Sequence, residues 1–178
     1  MANAILHDLR LHGRIPRDRT DILVLTQEGR LPSVSIRAIK AQMEREHIAQ
    51  LSRLTLICHG IVSLTEHTFA LQIGDYITEY NAYNVGRCLV GMTAKIKVKT
   101  CGTVGGEDSN PAVYASMLRV YRQLARGAET QVIAADETQY YTGANSGEIS
   151  FGGWEGPLWR YAPDGTRSRV PVEAAAGQ

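Results

Sequence analysis

No apolar run in this sequence approaches the roughly 18–20 residues needed to span a bilayer. The opening stretch, MANAILHDLRLHGRIPRDR, is broken by Asp, Arg and His throughout. It therefore reads as neither a signal peptide nor an anchor. Cysteine is scarce: Cys58, Cys88 and Cys101 are three in number, cannot all pair, and are too few for a disulfide scaffold. Free thiols and a reducing compartment are expected, either the cytoplasm or export by a route that uses no cleaved signal. Net charge is lacking too, with 19 Lys plus Arg against 18 Asp plus Glu. No global field then draws the chain to nucleic acid or to an anionic membrane, and partners must be recognised locally. Internal repeats and low-complexity segments are missing. So is any Cys-x-x-Cys spacing: adjacent Cys58 and His59 with distant Cys88 and Cys101 form a poor zinc set, and neither metal nor cofactor is expected.

What remains is a chain of 178 residues, 44% apolar and 21% charged, which suits one soluble globular domain with a substantial core. The arm 1–20, rich in Arg and broken by Gly13 and Pro16, precedes a domain over 21–171; 172–178 is a solvated tail. Residues 21–26 (DILVLT) form a short apolar run that predicts a buried strand. Pro32 opens a helix to about Gln50, with Ile36, Ile39 and Met43 on one face. Residues 54–58 (LTLIC) predict a second buried strand that ends at His59-Gly60. Residues 69–73 (FALQI) predict a weaker strand, followed by a short helix or turn over 80–89. Residues 94–100 (AKIKVKT) alternate strictly, which predicts a strand with Lys95, Lys97 and Lys99 on a polar face.

Asn110-Pro111 is a helix start, with Gly127 as its stop, and Val113, Met117, Val120 and Leu124 lie between them on an apolar face. Gln131–Ala135 is the strand this helix feeds. Pro163-Asp164-Gly165 then turns a hairpin between 158–161 and 167–170. Strands alternating with helices at this spacing predict an α/β fold: a mainly parallel sheet flanked by helices, with a C-terminal β-hairpin.

Reactive residues of an open parallel sheet gather beyond the carboxyl ends of its strands. Two strands here lead into residues that fit one mechanism, LTLIC into His59-Gly60 and KIKVKT into Cys101-Gly102. A thiolate is the nucleophile of such a pair. The imidazole holds the proton, lowers the thiol's effective pKa and later protonates a leaving amine. A glycine lets backbone N–H groups turn toward a bound carbonyl. Cys58 should face away from His59, into the core. Trp154 and Trp159 should pack the C-terminal hairpin rather than floor a cleft.

The segments 54–60 (LTLICHG) and 96–103 (IKVKTCGT) resemble the caspase-like (clan CD) cysteine peptidases in order, strand context and spacing. In that group a hydrophobic strand ends in His-Gly, and some tens of residues later a second strand ends in the nucleophilic Cys. The resemblance covers about residues 21–141. It implies a caspase-like fold with His59 as general acid/base, Cys101 as nucleophile, and the backbone N–H groups of Gly60 and Cys101 as oxyanion donors. It further implies a primary substrate pocket lined by Glu28 or Arg30, by Lys99, and by residues near Asp136. A carboxylate there would favour a basic side chain before the scissile bond, Lys99 an acidic one, so side-chain preference stays open.

The activity implied is hydrolysis of a protein or peptide substrate, or of the chain itself, as in an effector or toxin domain, with a cognate inhibitor or partner protein conceivable. Papain-like peptidases and glutamine amidotransferases place Cys before His, and Lys99 stands where the amidotransferase elbow needs glycine. Two other readings stand beside this one. One is a non-catalytic interaction module of the same fold, which the lysine face supports. The other is a thiol acyltransferase or amidase on another α/β fold, which the His-before-Cys order opposes.

Overall fold

The structure, a computed structural model, describes residues 32–101, 110–136 and 157–171, all within one compact unit. The arm, the strand predicted over 21–26, Glu28, Arg30, Trp154 and the tail lie outside the described residues.

Helix α1 (Pro32–Arg45) has proline in its first turn and buries Ile36 and Met43, seven residues apart on one face. It stops about a turn before the predicted Gln50. His47 is left-handed (φ 55°), and the Ile48 N–H donates to the Met43 carbonyl at 2.8 Å, a Schellman closure. The chain leaves the helix early because Leu51 is already committed to the sheet. Its N–H donates to the Met92 carbonyl, and its carbonyl accepts from the Ala94 N–H.

Strand β1 (Leu54–Ser63) runs five residues beyond Cys58, through His59 and Gly60. Its first half pairs in parallel with β4 (Lys95–Cys101), and its second half pairs antiparallel with β2 (Thr68–Ile73). The predicted end at His59 is thus corrected: β2 supplies the backbone partners that let β1 continue. Strand β3 (Asp75–Thr78), which the sequence hid beside Gly74, pairs with β2, and helix α2 (Ala82–Arg87) follows.

Helix α3 (Pro111–Ala128) starts as predicted. The Asn110 side chain accepts from the Val113 N–H at 3.1 Å, and proline holds the first position. It does not stop at Gly127. The left-handed residue is Glu129 (φ 54°), and the Thr130 N–H closes on the Ala125 carbonyl. Gly127 serves packing instead. A Cβ there would lie 2.1 Å from the Tyr83 carbonyl oxygen, and one at Gly86 would lie 2.6 Å from that of Leu124. The two glycines therefore let α2 and α3 meet backbone to backbone.

Strand β5 (Gln131–Ala135) pairs in parallel with β4, and the hairpin β6 (Leu158–Tyr161) and β7 (Arg167–Arg169) extends the sheet antiparallel from β5. Asp164 fixes the hairpin turn, its Oδ1 accepting from the Thr166 N–H and hydroxyl at 2.9 and 2.7 Å. Among the described residues the sheet has seven strands, in the order β3-β2-β1-β4-β5-β6-β7. The fold is α/β with helices against the sheet. The sheet is mixed rather than mainly parallel, because only the central pairs β1-β4 and β4-β5 are parallel.

One face of the sheet meets α3. Its Tyr121 ring lies 5.9 Å from that of Phe69, edge-on, and 5.3 Å from that of Tyr161, and the Ser116 hydroxyl accepts from the Phe69 N–H. Cys58, Ile96, Val98, Val132 and Ala134 occupy that face and are buried. His59 takes the alternate position and is exposed, and Cys58 fills the core as predicted. On the second face Ile133, Ala135, Leu158 and Val170 form a small apolar cluster.

Candidate active site

His59 is the residue at which the two ladders of β1 overlap. It stands opposite Cys101 on β4 and opposite Gln72 on β2. Cys101 is the last residue of β4. From Gly60 onward β1 is paired, among the described residues, with β2 alone. The topology thus brings residues 59, 60 and 101 to one place at the carboxyl end of the central parallel pair, where an α/β sheet exposes its strand ends to a ligand. As opposed residues of neighbouring strands, His59 and Cys101 hold register positions on one face of the sheet.

The approach to this place is cationic. Three of the chain's four lysines stand on β4, and the predicted polar face is not a solvated one. Lys97 is only 5% exposed and Lys99 is half-buried, because β4 is the middle strand of the sheet. Burial lowers the ammonium pKa of both. The neighbouring charges act in the same direction, Arg53 and Lys95 on Lys97, Lys97 and Arg53 on Lys99, and Lys99 is brought down to about 8. Cations gathered this way favour a thiolate or any developing oxyanion nearby.

Asp136, expected to line the substrate pocket, lies just past the end of β5 and is 5% exposed. Its Oδ2 accepts from the Tyr114 hydroxyl at 2.9 Å and from the Arg167 guanidinium. Tyr114 belongs to α3, so Asp136 is turned to the α3 side of the sheet, away from His59. Arg167 in turn lies over the Trp159 ring, 3.7 Å from its centroid. This explains Trp159: it packs the hairpin, as predicted. Among the described residues, Asp136 Oδ1, Arg167 Nε, Trp159 Nε1 and the Tyr161 hydroxyl are buried and meet no hydrogen-bond partner. Burial drives the Tyr121 and Tyr161 hydroxyls well above the ordinary phenol pKa, so both stay protonated.

Sequence reasoning missed Arg167 as the partner of Asp136. No local signal joins an acid after β5 to an arginine in a hairpin 31 residues later. The other histidines of the described residues, His47 and His67, hold left-handed turn positions, one after α1 and the other directly before β2. Cys88 donates to the Asn84 carbonyl within its helix. Among the described residues no group of three His, Cys, Asp or Glu is placed to hold a metal ion, and no helix is long and apolar enough to cross a membrane. Comparison with protein-family models, with curated proteins and with solved structures finds no match.

Proposed function

We propose that the chain is a caspase-like cysteine endopeptidase, acting on a protein or peptide substrate or on itself, with Cys101 as nucleophile and His59 as general acid/base. The observation that carries this reading is the register: His59 and Cys101 are opposed residues of adjacent parallel strands, at the carboxyl end of the shorter one. Chain order, His before Cys and each followed by Gly, agrees with it.

In the proposed reaction the Cys101 thiolate attacks the scissile carbonyl carbon and pushes its electron pair onto oxygen. The backbone N–H groups of Gly60 and Cys101 receive that oxyanion. The tetrahedral adduct collapses, the C–N bond breaks, and the His59 imidazolium gives its proton to the leaving amine. A thioester remains on Cys101. Water, deprotonated by His59, adds to it and releases the carboxylic acid and the thiol. Lys99 and its cationic neighbours lower the cost of the negative charge in both steps. Asp136 has no part in this scheme, since its charge is matched by Arg167.

The test is cleavage of a broad peptide library by purified wild type, Cys101→Ala and His59→Ala, with a thermal melt of each. The reading predicts cleavage by wild type and a loss of several orders of magnitude in both variants, with little change in melting. Retained cleavage in a folded Cys101→Ala protein would end it. A wild type that cleaves nothing would turn the reading to a non-catalytic interaction module.

A further inference from the structure

The row of opposed residues that contains His59 and Cys101 does not stop at β1. His59 stands opposite Gln72 on β2, and Gln72 opposite Tyr76 on β3. Four neighbouring strands thus present residues 101, 59, 72 and 76 in one line, and opposed residues share a face of the sheet. The burial pattern agrees on β1, β2 and β3. The next position turns into the core at Cys58, Leu71 and Ile77, which are at most 5% exposed. His59 is exposed and Gln72 half-buried, and Tyr76 is 46% exposed. Ile61, two residues beyond His59 on the same face, is 37% exposed. Two large apolar side chains are therefore held outward on the face and in the direction that lead away from residue 101.

We infer that Tyr76 and Ile61, with Gln72 between their strands, form a subsite for the half of the substrate that follows the scissile bond, and that it takes an aromatic or long aliphatic side chain. This rests on the peptidase reading, and the direction follows from its chemistry. The carbonyl carbon is bonded at Cys101 on β4, while the amine that leaves takes its proton from His59 on β1. The leaving half of the chain therefore extends from His59 toward β2 and β3. Strands lie about 4.8 Å apart and an extended peptide advances about 3.3 Å per residue. The second and third residues after the bond therefore come over Gln72 and Tyr76. The Gln72 side-chain amide has a donor and an acceptor for the backbone of a passing strand, and Tyr76 offers a rigid ring with little entropy to lose.

The experiment is a peptide library randomised on both sides of the cleaved bond, read by mass spectrometry, with wild type, Tyr76→Ser and Ile61→Ser. Both side chains are exposed, and melts verify that the variants fold. Wild type should cleave peptides with Phe, Tyr, Leu or Met at the second or third leaving-side position about tenfold faster than those with Gly. Each variant should lose most of that preference, its rate on the Phe, Tyr, Leu and Met peptides falling toward its own rate on the Gly peptides. A wild-type profile that is flat at those positions, or a preference unchanged in both folded variants, would overturn the subsite and leave the peptidase reading standing. No cleavage by wild type of any peptide would overturn that reading, and the subsite with it.

Discussion

Two regions of this sheet treat charge in opposite ways. Past β5, Asp136 meets Arg167 and Tyr114, the guanidinium is covered by Trp159, and the cluster is closed against α3. Between β1 and β4 cations are gathered. Lys97 and Lys99 are drawn into the sheet beside Arg53, at a cost that shows in their lowered pKa values, and His59 is left exposed. A matched buried pair fixes the position of a hairpin. Burial of the Lys97 and Lys99 ammonium groups, which lowers their pKa values, costs stability. Of the two residues expected in the pocket that the structure describes, Asp136 is turned to the α3 face and held by Arg167, while Lys99 stays on the His59 face.

The largest effect is expected in the closed region past β5. Arg167→Ala leaves Asp136 buried without its cation and should cost about 3–5 kcal/mol in urea unfolding. Replacing both partners, with Asp136→Leu and Arg167→Met, should recover most of that loss, because an apolar pair has no desolvation penalty to meet. If Arg167→Ala costs under about 1 kcal/mol, the pair behaves as a surface contact and the contrast between the two regions fails.

Gly127→Ala comes next, at about 1–3 kcal/mol, because its Cβ would run into the Tyr83 carbonyl and push α2 away from α3. A neutral result would show that the helix crossing is loose. The closed side would then owe its order to the ionic cluster alone.

How much of this was legible in sequence depended on whether the cause was local. Asn110-Pro111 and Pro163-Asp164-Gly165 act within four or five residues, and both gave the helix start and the hairpin where the structure has them. The pairing of β1 with β4 was readable because two apolar runs lead into chemistry-bearing residues. What escaped was set by distant partners. Gly127 reads as a helix stop, yet the backbone of Tyr83, over forty positions earlier, decides it. The extension of β1 through Gly60 depends on β2, and the alternating lysines of β4 gave no sign that this strand would be central. Of the candidate site residues, His59, Gly60 and Cys101 are brought together, Lys99 stands one pleat earlier on the same strand, and Asp136 goes to the other face. Glu28 lies outside the described residues.

The smallest effect is at β4 and concerns pH. The Lys99 ammonium in the folded chain titrates at about 8, against 10.5 for an ordinary lysine. Between these values the unfolded chain binds more protons than the folded one, so stability should rise with pH. The useful window runs from about pH 8 to about pH 9.5. Above it the buried Tyr121 and Tyr161, whose pKa values are raised above 10.0, pull the other way. Chemical denaturation of wild type across that window should show the rise, and Lys99→Met should flatten it. Equal slopes in the two proteins would mean that Lys99 is not held as a costly cation.

The central claim is that the residues opposed in the β1/β4 register form a thiol–imidazole pair. It is met most directly by the rate at which iodoacetamide alkylates Cys101 as a function of pH, read by peptide mapping in wild type and in His59→Ala, with Cys58 and Cys88 as internal references. The account predicts that wild-type Cys101 reacts with an apparent pKa clearly below the ordinary thiol value of about 8.5 and faster near neutrality than either reference. In His59→Ala that profile should move back toward about 8.5. A Cys101 profile that is the same with and without the His59 imidazole, or slower than Cys88 throughout, would contradict it.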